Sequence, residues 1–167
     1  SRSFVHTLRA ECDAVLTGGN TVRLDNPSLT IRKPDRPVSP LKEQPWRIIL
    51  THDASSIPAD SICLTDEFRD RTLVVENVFN YLELLKKLYN NKKIGTILLE
   101  AGGCLVREFL KAGLVDEWVG FYAPIIIGGG TDGVAPGPFL EHEAYLEQPV
   151  VNIFGDDVCI RGDICYR

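Results

Sequence analysis

What this sequence lacks narrows its function before any motif is read. No stretch of the 167 residues approaches the roughly 20 consecutive apolar residues that span a bilayer, so a membrane role is not expected. An excess of basic charge is missing too. The formal net charge is −5, whereas a nucleic-acid surface normally shows a basic stripe, so no nucleic-acid partner is expected. A phosphorylated small molecule is not excluded, because a pocket needs only two or three local cations. The segment Ser1–Ala10 has no basic start, long apolar core and small-residue cleavage site in the pattern of a signal peptide. No C-x-x-C pair occurs among Cys12, Cys63, Cys104, Cys159 and Cys165, which argues against a zinc knuckle and a disulfide framework. They read as reduced thiols in a cytoplasmic compartment, with Cys104 and Cys159 expected to be buried. Methionine is absent altogether, which excludes nothing.

What is present has the pattern of an α/β domain. Phe4, Val5 and Leu8 fall at helical spacing within Ser1–Glu11. Ala14-Val-Leu16 reads as a short buried strand stopped by Gly18-Gly19, with Asn20 expected to cap a helical turn through Leu24 that Pro27 ends. Lys33–Pro45 holds four prolines and reads as a surface loop. Further strands are expected at Arg47–Thr51, Thr72–Glu76, Ile97–Glu100 and Trp118–Ala123. Helices are expected over Val78–Tyr89, with Val78, Leu82, Leu85 and Leu88 as its apolar face, and from Gly102-Gly103 to Ala112, stopped by Gly113. Val150–Phe154 and Val158–Arg161 read as a closing antiparallel pair around Gly155-Asp156. Short apolar strands alternating with helices imply a mostly parallel sheet covered on both faces, with the hairpin as an antiparallel addition.

Three stretches carry candidate chemistry. In Ile97-Leu-Leu-Glu-Ala-Gly-Gly-Cys-Leu105 a strand meets paired glycines and then a helix. Glycine lets a backbone approach a ligand, free N–H groups at a helix start favour an anion, and Glu100 falls where open α/β sheets place ligands. A tight turn that binds nothing has the same spacing, and the full G-x-G-x-x-G fingerprint is missing. The second stretch, Gly18–Arg32, packs hydroxyl, amide, carboxylate and two guanidinium groups behind a strand, and arginine suits bidentate recognition of phosphate. Its bland alternative is a capped turn with a solvated polar face. The third, Ala123–Gly130, reads as a corner after a strand rather than a cofactor wrap. His6, His52 and His142 lack metal-ligand spacing, so no metal is expected. No nucleophile elbow, P-loop or deaminase zinc motif is present.

Taken in order, Leu8-Arg-Ala10, Asp13-Ala-Val-Leu16, Gly19-Asn-Thr-Val-Arg-Leu-Asp-Asn-Pro-Ser-Leu-Thr-Ile-Arg32, Leu99-Glu-Ala-Gly-Gly103, Ala112-Gly-Leu-Val-Asp-Glu117 and Ala123-Pro-Ile-Ile-Ile-Gly-Gly129 closely resemble one family. This is the C-terminal reductase domain of the bifunctional riboflavin-biosynthesis deaminase–reductase. The T-V-x-x-D-[ND]-P-x-L-T-x-R block is its most specific element. The resemblance implies a dihydrofolate-reductase-like fold, NADPH as cofactor and 5-amino-6-(5-phosphoribosylamino)uracil as substrate, whose ribosyl group is reduced to ribityl. It also implies that Arg9, Leu29, Arg32 and Glu100 contact substrate, with the arginines suited to the 5′-phosphate. Thr21, Asp25 and His52 then look like cofactor contacts, and the Gly102, Gly103, Cys104 and Leu105 turn resembles the part that cradles the diphosphate.

Family members precede this region with a K-x-A-x-S-L-D-G strand and then a Ser and a Trp. The expectation is therefore a single reductase domain over residues 1–167 without that first strand, forming a homodimer and carrying a fused deaminase upstream. Two alternatives stay open: reduction of another heterocycle on the same fold, and a non-catalytic domain partnering a deaminase. Competition by ribose 5-phosphate analogues separates the first, and NADPH-dependent quenching of Trp46 or Trp118 fluorescence the second.

Overall fold

A computed structural model describes residues 2–37, 39, 42–125 and 143–167. The Gly128–Pro138 stretch, His142 and the latter part of the Ala123–Gly130 corner lie outside the described residues. The described residues form two units, Arg2–Gly102 and Gly103–Arg167.

The first unit is built on a four-stranded parallel sheet. Its strands are β1 (Ala14–Gly18), β2 (Trp46–Thr51), β3 (Thr72–Glu76) and β4 (Ile97–Leu99), in the order β3-β2-β1-β4. Ala14, Val15, Leu16 and Thr17 are fully buried, as the unbroken run requires of a central strand whose two faces are both covered. Three helices of this unit position the site: α1 (Arg2–Glu11), α2 (Gly19–Asp25) and α3 (Ile62–Thr65). A fourth, α4 (Tyr81–Lys92), connects β3 to β4. Val22 of α2 packs with Ile49, Ile57 and Cys63, and Leu64 and Val74 close over them.

The order contains a reversal. From β1 the chain steps outward through β2 and β3, then returns to pair β4 on the other side of β1. The crevice outside the carboxyl ends of β1 and β4 is thus the topological switch point, where open α/β sheets hold ligands.

Local chemistry corrects several boundaries. Asn20 is not a cap: Gly18 occupies that position, and α2 starts at Gly19 without a side-chain cap. Helix α4 starts at Tyr81 rather than Val78, because the Asn80 side chain accepts a hydrogen bond from the Glu83 N–H. Of the expected apolar face, Leu88 is buried and Leu85 half-buried, whereas Leu82 is exposed and Leu84 is buried in its place.

Gly19 is required by packing. A Cβ there would sit 2.9 Å from Ile57 Cδ1 and 3.0 Å from Thr51 Cβ, so α2 approaches the end of β2 only without one. Gly19→Ala is expected to cost about 1–3 kcal/mol of stability by overpacking, read as a lowered urea midpoint.

The second unit contains α5 (Gly103–Lys111), β5 (Glu117–Tyr122), β6 (Ala144–Phe154) and β7 (Asp157–Tyr166), with a three-stranded antiparallel sheet in the order β5-β7-β6. The hairpin turns at Gly155, φ +67°, and Gly113, φ +65°, ends α5. There the Leu114 N–H reaches the Phe109 carbonyl at 3.1 Å and the Gly113 N–H the Leu110 carbonyl at 3.0 Å. The α/β class, with a parallel sheet, helices and a C-terminal antiparallel hairpin, is as expected. Trp118–Tyr122, however, pairs with the hairpin strand β7. Cys159 is buried as expected, but Cys104 is exposed, since its position on α5 faces away from that helix's buried Phe109 and Leu110.

Candidate functional site

The segment from Asn26 to Arg32 has no helix or strand, yet Leu29 and Thr30 within it are buried. Buried backbone N–H and C=O groups need partners, and here side chains supply them. Asn26 adopts the left-handed conformation that ends α2, with its N–H on the Val22 carbonyl, while its own Oδ1 accepts from the Ile62 N–H at 2.8 Å. That contact serves the start of α3. The Ser28 carbonyl accepts from Arg47 Nη1 at 3.0 Å. Gln44 brackets Ile31, accepting from its N–H at 2.7 Å and donating to its carbonyl at 3.0 Å. Between them lies Leu29, 2% exposed with φ +53°. A non-glycine residue there costs roughly 1–3 kcal/mol and persists only where its surroundings over-determine it.

The Thr30 carbonyl is the focus of the arrangement. It accepts from Arg9 Nη1 at 2.9 Å and lies 3.1 Å from His6 Nδ1. Residues 6 and 9 share one face of α1 because they are three apart. The Arg32 N–H lies 3.4 Å from the same Nδ1; one ring nitrogen cannot both donate and accept, and the shorter contact identifies Nδ1–H as donor to Thr30. Burial pushes the His6 imidazole below its ordinary value and the Arg9 and Arg32 charges add to this, while the Thr30 carbonyl and Glu100 oppose it.

Arg9 and Glu100 meet directly. Arg9 Nε donates to Oε1 and Nη2 to Oε2 of Glu100, both at 2.7 Å, with the two side chains 11% and 24% exposed. Glu100 follows β4, its N–H still bonded to the Leu16 carbonyl of β1 at 2.9 Å, so its carboxylate stands at the switch point. Arg9 is thus committed to Glu100 and Thr30 and serves to aim the carboxylate. Arg32 is exposed, and its guanidinium makes no hydrogen bond or ion pair among the described residues. The sequence treats these two arginines as equals; the fold separates them into a fixed one and an available one.

Of the other expected residues, Thr21, Asp25 and His52 follow β1 and β2 at the carboxyl end of the first unit's sheet. Thr21 is half-buried in α2, Asp25 is exposed in its last turn, and His52 is exposed just after β2. None of the three makes a side-chain hydrogen bond or ion pair among the described residues, with the Arg9–Glu100 pair or with any other group. Gly102 is exposed, and a Cβ on it would meet nothing within 4 Å; neither packing nor a positive φ requires glycine there, which leaves room for a ligand. Gly103, Cys104 and Leu105 form the first turn of α5. A cavity of about 320 Å³ opens instead near the amino ends of the strands, around Asp13, Lys42, Trp46, Arg71 and Lys92, and contains none of the expected residues.

His6 is the contributor that sequence reasoning missed. It was set aside for lacking metal-ligand spacing; its three-residue offset from Arg9 on α1 was the available signal.

The chain matches the RibD C-terminal domain family over residues 1–160. It is 34% identical over 134 residues to the riboflavin biosynthesis protein RibD of Mycobacterium tuberculosis, covering 80% of this chain and 37% of that protein. It is 32% identical over 145 residues to the 2,5-diamino-6-ribosylamino-4(3H)-pyrimidinone 5′-phosphate reductase of Aquifex aeolicus, covering 75% of this chain and 63% of that protein. Among solved structures, Acinetobacter baumannii RibD superposes with a TM-score of 0.83 at 25% identity, over 98% of this chain and 50% of that one. This chain spans between about a third and two-thirds of the lengths of these relatives. With a match along nearly its whole length, the chain belongs to the RibD C-terminal domain family.

Proposed function

We propose that this domain reduces the ribosyl group of a phosphoribosylamino-pyrimidine, 5-amino-6-(5-phosphoribosylamino)uracil, with NADPH as hydride donor. The observation that carries the reading is the contrast at one sheet end between a carboxylate aimed by Arg9 and an uncommitted Arg32. A relative named for a ribosylamino-pyrimidinone 5′-phosphate supports it. In this reading Arg32 takes the substrate phosphate, Glu100 accepts hydrogen bonds from sugar hydroxyls or the pyrimidine, and buried Leu29 shapes the wall between them.

A reduced nicotinamide, when bound, supplies a hydride to C1′ of the opened sugar imine. Thr21, Asp25 and His52 would hold it towards the nicotinamide end, and Gly102, Gly103, Cys104 and Leu105 towards the diphosphate. Room at Gly102 fits such a group. Hydride transfer to an imine needs no protein nucleophile, so the residues act by positioning, with reacting atoms held roughly 3–3.5 Å apart. The exposed Val150, Val151 and Ile153 of β6 support a homodimer, checked by light scattering. No helix among the described residues is long and apolar enough to cross a membrane. A cytoplasmic enzyme with a deaminase fused upstream is part of the same proposal.

The test is steady-state oxidation of NADPH, with NADH in parallel, by the intact protein supplied with the phosphoribosylamino-pyrimidine. Arg32→Ala is expected to raise KM about 10–100-fold, the loss of one or two charge-assisted hydrogen bonds. The expected kcat is within about threefold of wild type. An unchanged KM overturns the phosphate assignment. Isothermal titration calorimetry with NADPH checks cofactor binding separately, and no binding at millimolar NADPH overturns the cofactor reading.

A further inference from the structure

We propose that His6 is a positioning residue that sets the conformation from which Arg32 reaches the substrate phosphate. This deepens the proposed function and rests on Arg32 being the phosphate contact.

The argument begins with an irregular segment that has no backbone ladder to hold it. Between Leu29 and Arg32 the chain must leave a left-handed residue and present an exposed guanidinium. The carbonyl following Leu29's strained conformation is that of Thr30, and two donors from one face of α1 converge on it: Arg9 Nη1 at 2.9 Å and His6 Nδ1 at 3.1 Å. Their duties differ. Arg9 also carries Glu100, so its position is dictated by the carboxylate. His6 makes no other hydrogen bond among the described residues once its Nδ1–H is given to the Thr30 carbonyl, and the Arg32 backbone nitrogen lies 3.4 Å from that same Nδ1. Removing its donor leaves the Thr30 carbonyl to Arg9 alone, while Gln44 still holds Ile31 and the Arg9–Glu100 pair stays made, so the chain loosens on the Arg32 side of Ile31. The consequence falls on Arg32, two residues along.

The tautomer is part of the assignment. Only the Nδ1 side of the ring faces Thr30, so the group required is a donor at the distance of Nδ1 from the backbone. Asparagine places its amide nitrogen there; glutamine places its amide one bond further, where Nε2 would be. Phenylalanine keeps the ring and removes the donor. A residue that merely filled space would tolerate phenylalanine better than asparagine.

The experiment measures kcat and KM for the phosphoribosylamino-pyrimidine with the intact protein carrying His6→Phe, His6→Asn or His6→Gln, each also made in an Arg32→Ala background. His6→Phe and His6→Gln are expected to raise KM about fivefold, the effect of one hydrogen bond, with kcat within twofold. His6→Asn is expected to return KM to within twofold of wild type. With Arg32→Ala already present, His6→Phe should add nothing, because both changes act through one contact. Additive effects of the two substitutions overturn the inference, as does His6→Asn behaving like His6→Phe. If His6→Phe does not fold, the comparison of asparagine with glutamine decides alone: equal KM values overturn it. Failure of the underlying reading looks different, since then Arg32→Ala itself leaves KM unchanged.

Discussion

Glu100→Leu is expected to lower kcat/KM by at least about 100-fold, roughly 2.7 kcal/mol of transition-state stabilisation, and to destabilise the domain by about 3 kcal/mol. The two losses have different origins. Stability falls because Arg9 keeps its place against the Thr30 carbonyl with two of its N–H groups unpaired, at a site where its side chain is 11% exposed. Breaking one partner of a buried pair costs about 3–5 kcal/mol, and the partial exposure of Glu100 puts this pair at the lower end. Activity falls because the carboxylate at the switch point has gone. The double variant Arg9→Met/Glu100→Leu separates them. Removing both charges restores most of the stability, since a buried ion pair replaced by apolar groups of similar volume is close to neutral. Turnover should stay low. Recovery of kcat/KM alongside the melting temperature would make Glu100 a structural partner of Arg9 and nothing more.

The largest purely structural effect is expected at Asp66. Arg47 lies inside the first strand pair at 1% exposure, and its guanidinium is held by Asp66 through Nη1–Oδ2 at 2.7 Å and Nη2–Oδ1 at 2.8 Å. Its Nε is buried with no hydrogen-bond partner among the described residues. Asp66→Ala would leave a charge that water cannot reach, at an expected cost of about 3–5 kcal/mol, measured by urea unfolding near neutral pH. Because Arg47 also donates to the Ser28 carbonyl, the loss should loosen the approach to Leu29 and raise KM as a secondary effect. The pH dependence has a definite sign. The hydrogen bonds from Arg47 hold the Asp66 carboxyl below its ordinary value; burial opposes this, and the Arg47 charge and the Phe68 N–H reinforce it. A carboxylate depressed in the folded state contributes fully above its unfolded value of about 3.9 and progressively less as pH falls through the folded one. The difference between wild type and Asp66→Ala should therefore narrow below about pH 4. A gap constant down to pH 2 would contradict the ion pair.

The parallel strands were legible because Ala14-Val-Leu16, Ile48-Ile-Leu50 and Ile97-Leu-Leu99 are short unbroken apolar runs, a pattern that both-sided burial imposes. Glu100 was legible for a related reason: it is the first charged residue after such a run, and so had to emerge at a strand's carboxyl end. The α4 face was legible only in part: Leu88 is buried as its period requires, but Val78 precedes the helix, which the Asn80 cap starts at Tyr81. The roles within Gly18–Arg32 were hidden for a deeper reason. Polar density marks that block as a site or a solvated turn, and nothing local says which groups point into the protein.

By itself, then, the amino-acid order determined the α/β class and the family, and it marked Gly18–Arg32 as a candidate site. These follow from near-neighbour rules: apolar period, glycine and proline placement, and the run of residue types from Thr21 to Arg32. Only the tertiary structure decided that Arg9 spends its guanidinium on Glu100 and Thr30 while Arg32 keeps its own available, and that His6 belongs with them. Glu100 is 91 positions from Arg9, and the Thr30 carbonyl is 24 from His6. Partners so far apart in the chain are chosen by the strand order that brings β4 beside β1, and a hydrogen bond's energy depends on that distance and angle in space.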